Sequence, residues 1–428
     1  MVSSFDPSNS RSVAIVHYSA PPVIGGVEST IYHHARLLAD CGFTVQVVAG
    51  RGEEFHPAVS LHAVPEMNSR HPVVLDVGKS LAGGIVDGRF YELRDHLTER
   101  LRPLLARAGV CIIHNAATLH KNVPLTAALR ILCDDMQTSF ISWAHDFAWL
   151  DPLYLPDLHP GYPWDLLRTP WPGVRYVTVS EHGRELMSGL FNIPGDEIRV
   201  ISPGVDMPHF LKLEPLTLSL VEKLHLMGAD PLMLLPSRIT RRKNIEFAVS
   251  VTAALVEKRP SATLVVTGPT GPHNPANSQY LGELKALRKR LGVAPSVHFL
   301  CECGEKGSEL NLPDRALSDF FSLADLLIFP SLREGFGIPV LEAGLSRLPA
   351  FAADIPSVRE SGAQLVHLFD PLGDPAAVSE AIDEYLTRSR LYQLRRRVID
   401  RFTWQAILKK AVIPLIEEVS RHEYPQKS

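Results

Sequence analysis

The stretch SVAIVHYSAPPVIGGVESTIYHHARLLADCGFTVQVV, residues 12–48, decides the fold class. It opens with the short apolar run Val13-Ala-Ile-Val16, turns through a Pro/Gly loop and continues into a helical stretch from Glu28 to Cys41. Gly42 stops that helix, and Phe43-Thr-Val-Gln-Val-Val48 is a second apolar run of strand length. Strand, helix and strand in this order make a βαβ unit, whose two strands are parallel.

The same rhythm extends outward. Apolar runs at 110–113, 140–143 and 176–179 alternate with helical segments, the last followed by Glu181-His-Gly-Arg-Glu-Leu-Met187. Between Arg89 and Arg107, Phe90, Leu93, Leu97, Leu101, Leu104 and Leu105 share one face, the pattern of a helix covering a sheet. Around Ile201-Ser-Pro-Gly-Val-Asp-Met-Pro208 two prolines and a glycine break the rhythm. It restarts with runs at 232–235, 262–267, 297–300, 325–329 and 364–368. Past Pro375 the chain reads as helical, with apolar residues at helical spacing from Leu391 to Val419 around Trp404. The expectation is an α/β protein with two doubly wound, Rossmann-like parallel-sheet domains, over 1–203 and 204–388, whose carboxyl ends face a cleft. A helical segment over 389–428 is expected to cross back to the first domain.

Composition agrees with a two-domain globular chain. Of 428 residues, 45% are apolar and 21% charged, which excludes a disordered or fibrous protein. The formal net charge of −4 gives no general positive field, so nucleic acid is not an expected partner and any bound anion must meet local cations. Five scattered cysteines, no Asn-x-Ser/Thr acceptor, no signal-like start and no apolar run of bilayer length point to a cytoplasmic protein without a transmembrane segment. Peripheral membrane contact stays open. Cys301-Glu-Cys303 is too closely spaced for a zinc knuckle and has no second pair, so no metal site is expected.

Three loops carry chemistry. Gly25-Gly26 joins a strand to a helix N-terminus, where backbone N–H groups and the helix dipole suit an anion, although a plain tight turn has the same composition. The G-x-G-x-x-G dinucleotide spacing is absent. Leu234-Leu-Pro-Ser-Arg238-Ile-Thr-Arg241-Arg242-Lys243-Asn244 puts cations at the carboxyl edge of a strand, a cradle for a diphosphate or a solvated basic turn. Arg333-Glu334-Gly335-Phe336-Gly337-Ile338-Pro339-Val340-Leu341-Glu342 leaves a strand and enters a helix at Pro339. Two carboxylates there can grip vicinal hydroxyls while the backbone N–H groups of 335–337 donate to ligand oxygens.

Gly25-Gly26, Trp143-Ala-His145-Asp146, Arg238 with Lys243 five positions on, and Glu334 with Glu342 eight positions on resemble the ordered motifs of retaining GT-B glycosyltransferases of the GT4 type. The similarity runs across nearly the whole chain, and the glutamate motif is its most specific part. The resemblance implies transfer of a hexose from a nucleoside diphosphate sugar, GDP-mannose ahead of UDP-glucose, to a hydroxyl of a small sugar or sugar acid. Neither a cofactor nor a metal is then obligatory. It further implies that Arg238 and Lys243 bind the diphosphate, Glu342 the ribose, and Glu334 the sugar hydroxyls beside Gly335, Phe336 and Gly337. His145 would act at the reaction centre, with Gly25 and Gly26 facing the phosphates. Asp146 is given no role.

After His145, the proline- and tryptophan-rich segment 150–172 suits an ordered loop. Tyr154, Tyr162, Trp164 and Arg168 are its candidate acceptor contacts, unless the rings form a satellite core instead. The rival readings are a lipid-linked acceptor, a sugar-nucleotide epimerase, and a non-catalytic sugar-binding protein, the last disfavoured by the paired cations and glutamates.

Overall fold

A computed structural model describes residues 11–270, 276–304 and 308–421. The chain forms two compact units, one reaching to Val205 and taking up the chain again from Arg401, the other spanning Asp206–Asp400.

The first unit is built on seven parallel strands: β1 (Ser12–His17), β2 (Thr44–Ala49), β3 (Val59–Ala63), β4 (Val110–His114), β5 (Ser139–Ala144), β6 (Arg175–Thr178) and β7 (Ile198–Val200). Their order across the sheet is β3-β2-β1-β4-β5-β6-β7. Every pairing is parallel, so all strands present their carboxyl ends at one edge. Alternate residues feed two cores: Val13 and Ile15 of β1 pack on one face with Ile31, Leu38 and Trp404, Ala14 and Val16 on the other with Phe90, Leu97 and Leu101. The helix Gly88–Leu105 therefore covers the sheet, as its apolar face predicts.

The second unit repeats the plan with β8 (Leu232–Leu235), β9 (Thr263–Val266), β10 (Val297–Phe299), β11 (Leu326–Phe329), β12 (Ala350–Ala353) and β13 (His367–Phe369), ordered β10-β9-β8-β11-β12-β13. In each sheet the strand order reverses beside the first strand, between β1 and β4 and between β8 and β11. Open α/β sheets bind ligands at such reversals.

Three strands escape a periodicity reading. β12 is Ala350-Phe-Ala-Ala, too rich in alanine to signal a strand, while β3 and β7 are short strands at the two edges of their sheet. The run expected at 364–368 is corrected to His367–Phe369, because a turn after the helix Pro356–Gly362 occupies its first residues.

The expected boundary at 388/389 falls instead between Asp400 and Arg401. The helix Arg390–Arg401 is anchored to the second unit, with Arg396 Nη1 donating to the Ala229 carbonyl at 2.6 Å and the Tyr392 hydroxyl donating to Asp230. The chain then pairs with itself: Val205 N donates to Phe402 O at 2.7 Å and Trp404 N to Val205 O at 3.3 Å. Trp404 is 4% exposed, stacks on His33 at 4.8 Å and meets His34 edge-on. Trp404→Ala is expected to destabilise the first unit by about 3–5 kcal/mol. Urea unfolding should show that unit's transition moving while the second unit's does not.

Candidate active site

Each unit gathers polar side chains at the carboxyl edge of its own sheet. In the second unit, β8 leads through Ser237 and Arg238 to a turn at Arg241–Lys243, and β11 leads to the loop of Glu334. The two loops are stitched together, because Leu332 N donates to the Arg242 carbonyl at 2.9 Å and Arg242 Nη1 to the Arg333 carbonyl at 3.1 Å. Lys243 Nζ donates to Glu334 Oε1 at 2.5 Å, and Arg242 Nη1 to Glu334 Oε2 at 3.0 Å. The Lys243 and Glu334 side chains are 10% and 9% exposed, and Nζ lies 5.1 Å from the centre of the Phe329 ring. Burial pulls the Lys243 ammonium below its ordinary range against the pull of Glu334. Burial pushes the Glu334 carboxyl upward, but hydrogen bonds led by that from Lys243 outweigh it and hold the group ionised below the usual range.

Gly337, at φ +91°, caps the helix Ile338–Leu345 in a left-handed conformation that glycine adopts without strain. Its N-cap makes no side-chain capping hydrogen bond among the described residues, which suits its first N–H groups to a ligand's oxygens. Phe336 is exposed in the same loop, and Glu342 sits half-buried one turn into the helix, its pKa raised by burial and by Asp314. Arg238 is exposed, and among the described residues it makes no ion pair. Gly268, after β9, packs so closely that a Cβ would lie 2.3 Å from Ser237 O, which fixes the backbone under Arg238. Arg241 is turned away, held by Glu283 at 2.7 and 2.8 Å over the Tyr280 ring. Of the basic turn, Arg242 therefore joins Lys243 at Glu334.

In the first unit, strands β1, β4 and β5 end on, or immediately before, a histidine: His17, His114 and His145. His17 Nδ1 donates to the His114 carbonyl at 2.9 Å, and His114 Nδ1 lies 3.2 Å from His145 Nε2. Asn115, left-handed at φ 56°, clamps the turn that follows: its Oδ1 accepts from His145 N at 2.7 Å and Asp146 N at 3.3 Å, and its Nδ2 donates to Asp146 Oδ2 at 3.0 Å. That gives Asp146 a structural place. Reading the strand ends in register would have signalled His17 and His114; Asn115 carried no signal.

Gly25 is the N-cap of the helix Gly26–Asp40 in extended conformation, and a Cβ there would meet the Glu28 carboxylate at 2.1 Å. Glu28 accepts from Ser19 Oγ at 2.5 Å and lies 3.9 Å from His17 Nε2. Burial lowers the His17 pKa, so this last contact is not an ion pair at neutral pH. Gly26 is exposed, with open space where a side chain would be.

The loop candidates separate. Trp164 is 4% exposed in the core and lines a cavity of about 370 Å³ with Ser69, Lys79, His120, Lys121 and Asp157. Tyr154 packs on the His120 ring at 4.7 Å. Arg168 is held by Asp165 at 2.7 Å and lies 4.0 Å over the Trp149 ring, whereas Tyr162 is exposed and packs on Phe90 and Arg94 of the helix Gly88–Leu105.

The imidazoles make this unit sensitive to acid. His34 is enclosed by Trp143 and Trp404 with neither ring nitrogen hydrogen-bonded, and burial pushes its pKa down to about 3. Burial outweighs Asp146 to take His145 down to about 4. In the unfolded chain histidine titrates near about 6.5, so below that pH the unfolded state binds protons that the folded state refuses. Stability therefore rises with pH across this window. Between pH 7 and 5 the first unit is expected to lose up to about 1.4 kcal/mol per pH unit for each such histidine. His34→Phe should lower the proton uptake linked to unfolding near pH 5 by about one, as read from urea titrations at several pH values.

Residues 24–208 match the family described as Glycosyltransferase Family 4, and residues 220–401 the family described as Glycosyl transferases group 1. A mannosylglucosylglycerate synthase of Thermotoga maritima is 23% identical over 91% of this chain and 92% of its own. A D-inositol 3-phosphate glycosyltransferase of Thermobispora bispora is 25% identical over 93% of this chain and 91% of its own. A solved glycosyltransferase from Rickettsia africae aligns with 97% of this chain and 100% of its own at 16% identity and a TM-score of 0.36. The two family matches span most of the sequence, one on each unit, and the chain belongs to the GT-B glycosyltransferases of the GT4 type.

Proposed function

We propose that the protein transfers a hexose from a nucleoside diphosphate sugar to a hydroxyl of a small anionic acceptor, with retention at the anomeric carbon. The observation that carries this reading is the enclosed Lys243–Glu334 pair beside an uncapped helix N-terminus at the strand reversal of the second sheet. Lys243 and Arg238 meet the diphosphate, the amides of 335–337 and Glu334 meet the sugar, and Glu342 meets the ribose. The first unit presents His145, Gly25 and Gly26. The bond from the anomeric carbon to the diphosphate oxygen breaks with its electrons moving to the phosphate, where cations and the helix dipole stabilise the charge. The acceptor oxygen bonds to the anomeric carbon from the same face, and its proton passes to the leaving phosphate oxygen. GDP-mannose is the favoured donor and UDP-glucose the next.

For the acceptor, the support is the cavity lined by Trp164. Its size suits a small ligand, its rim carries Lys79 and Lys121, and His120 Nδ1 is enclosed there without a partner. The names of the two relatives speak of a glycerate and an inositol phosphate, each a small polyol carrying an anion. A lipid-linked acceptor is the second reading, favoured by the exposed Val73 and Leu75 on the cavity helix Pro72–Ala82 and by Leu153 and Leu155 near it. Among the described residues no helix is long and apolar enough to cross a membrane.

The donor is tested by thermal shift with nucleoside diphosphates and their sugars, since a ligand specific to the folded state raises apparent stability. Arg238→Ala is expected to weaken nucleoside diphosphate binding by about tenfold, the loss of one charge-assisted contact. Glu334→Gln should keep diphosphate binding and lower transfer by about a hundredfold or more. Indifference of the wild-type protein to every nucleotide would sink the reading. At the cavity, Lys121→Ala should raise the KM for an anionic acceptor about tenfold while leaving that for the donor unchanged; a shift in vesicle binding instead would favour the lipid-linked acceptor.

A further inference from the structure

The contact between His114 and His145 holds one hydrogen between two neutral rings, and the surroundings decide which ring owns it. His114 is 0% exposed, its Nδ1 lies 3.2 Å from His145 Nε2, and its own Nε2 is enclosed with no hydrogen-bond partner. The groups around His114 offer that nitrogen no relief. His34 and Trp143, whose rings lie 6.0 and 5.6 Å away, keep their ring nitrogens unbonded, and His17 spends its Nδ1–H on the His114 carbonyl.

Two arrangements are available. If His145 donated from Nε2, the proton of His114 would sit on its Nε2, leaving a buried N–H with nothing to accept it. If His114 donates from Nδ1, its Nε2 keeps only an unfilled lone pair. A buried orphan N–H is rarer and costlier than an unfilled acceptor, so the second arrangement is preferred. The proton of His145 then lies on Nδ1, the ring nitrogen not turned onto His114, and His145 keeps partial exposure.

We infer that His114 is a positioning residue that fixes His145 as the Nδ1–H tautomer, so that His145 offers a substrate oxygen a neutral hydrogen-bond donor rather than a base. This rests on the proposed role of His145 at the reaction centre. The consequence for the transfer is that the acceptor's proton goes to the leaving phosphate oxygen and not to this imidazole.

Nitrogen-15 spectra of histidine-labelled protein test the tautomer without any substrate, with the His145 signals identified by their loss in His145→Ala. The wild-type ring is expected to show a protonated Nδ1 and a bare Nε2; the opposite pattern, or an even mixture, overturns the inference. His114→Phe keeps an aromatic ring and removes the donor, and should shift His145 toward the other tautomer and lower kcat about tenfold with little change in KM. His114→Asn, whose amide can place an N–H where Nδ1 stood, should recover most of that loss. If His114→Phe folds and leaves both tautomer and kcat unchanged, His114 does not position His145; if it fails to fold, the wild-type and His114→Asn spectra decide. Normal transfer by His145→Ala would instead reject the role of His145 while leaving the tautomer result intact.

Discussion

Parallel strands cannot be joined by tight turns, so each crossover must carry the chain back to the same end before the next strand begins. Every loop that leaves a strand is thereby delivered to one edge of the sheet. Where the strand order reverses, two such loops diverge onto opposite faces and leave a crevice between them. In the second unit the loops after β8 and β11 are that pair, and residues almost a hundred positions apart in sequence, Lys243 and Glu334, meet as an ion pair. In the first unit the same constraint brings His17, His114 and His145 into one line.

The Lys243–Glu334 pair is organised before any ligand arrives. Its members are shielded from water, supported by Arg242, and fixed by backbone hydrogen bonds between the two loops. A charged pair in this setting needs good geometry and further hydrogen bonds to offset its desolvation. The structure supplies both: Arg242 and the hydrogen bonds between the two loops hold the pair in place. Arg238 differs: it is exposed, and its backbone lies close against Gly268.

Much of this was legible in the sequence because it depends on local pattern. The apolar runs of β1, β4, β8 and β11 mark buried strands, and the charged residues that follow them must lie on loops at the carboxyl edge. Arg238, Lys243, Glu334 and Gly337 were accessible for that reason. What a single sequence withholds is which side chains occupy the inside of a loop. The segment 150–172 suggests acceptor contacts, but nothing in its sequence says that Trp164 is buried or that Arg168 is paired with Asp165 over the Trp149 ring. Strand β12, three alanines and a phenylalanine, owes its state to burial between β11 and β13 and not to propensity. The histidine line was hidden for a different cause: His17 and His114 are unremarkable until the register sets them side by side.

The division of the chain also has a temporal meaning. The first unit takes in the chain up to Val205, yet Trp404, Ile407, Leu408, Val412, Leu415 and Ile416 fill the core on one face of its sheet. During synthesis on a ribosome, the second unit, which is continuous in sequence, has all of its residues available before the first unit has its last helix. The first unit therefore cannot be complete until the whole second unit has been synthesised. Until the last turns emerge, the nascent first unit carries an uncovered apolar face over β1, β4 and β5, and that interval is when it depends most on protection from aggregation.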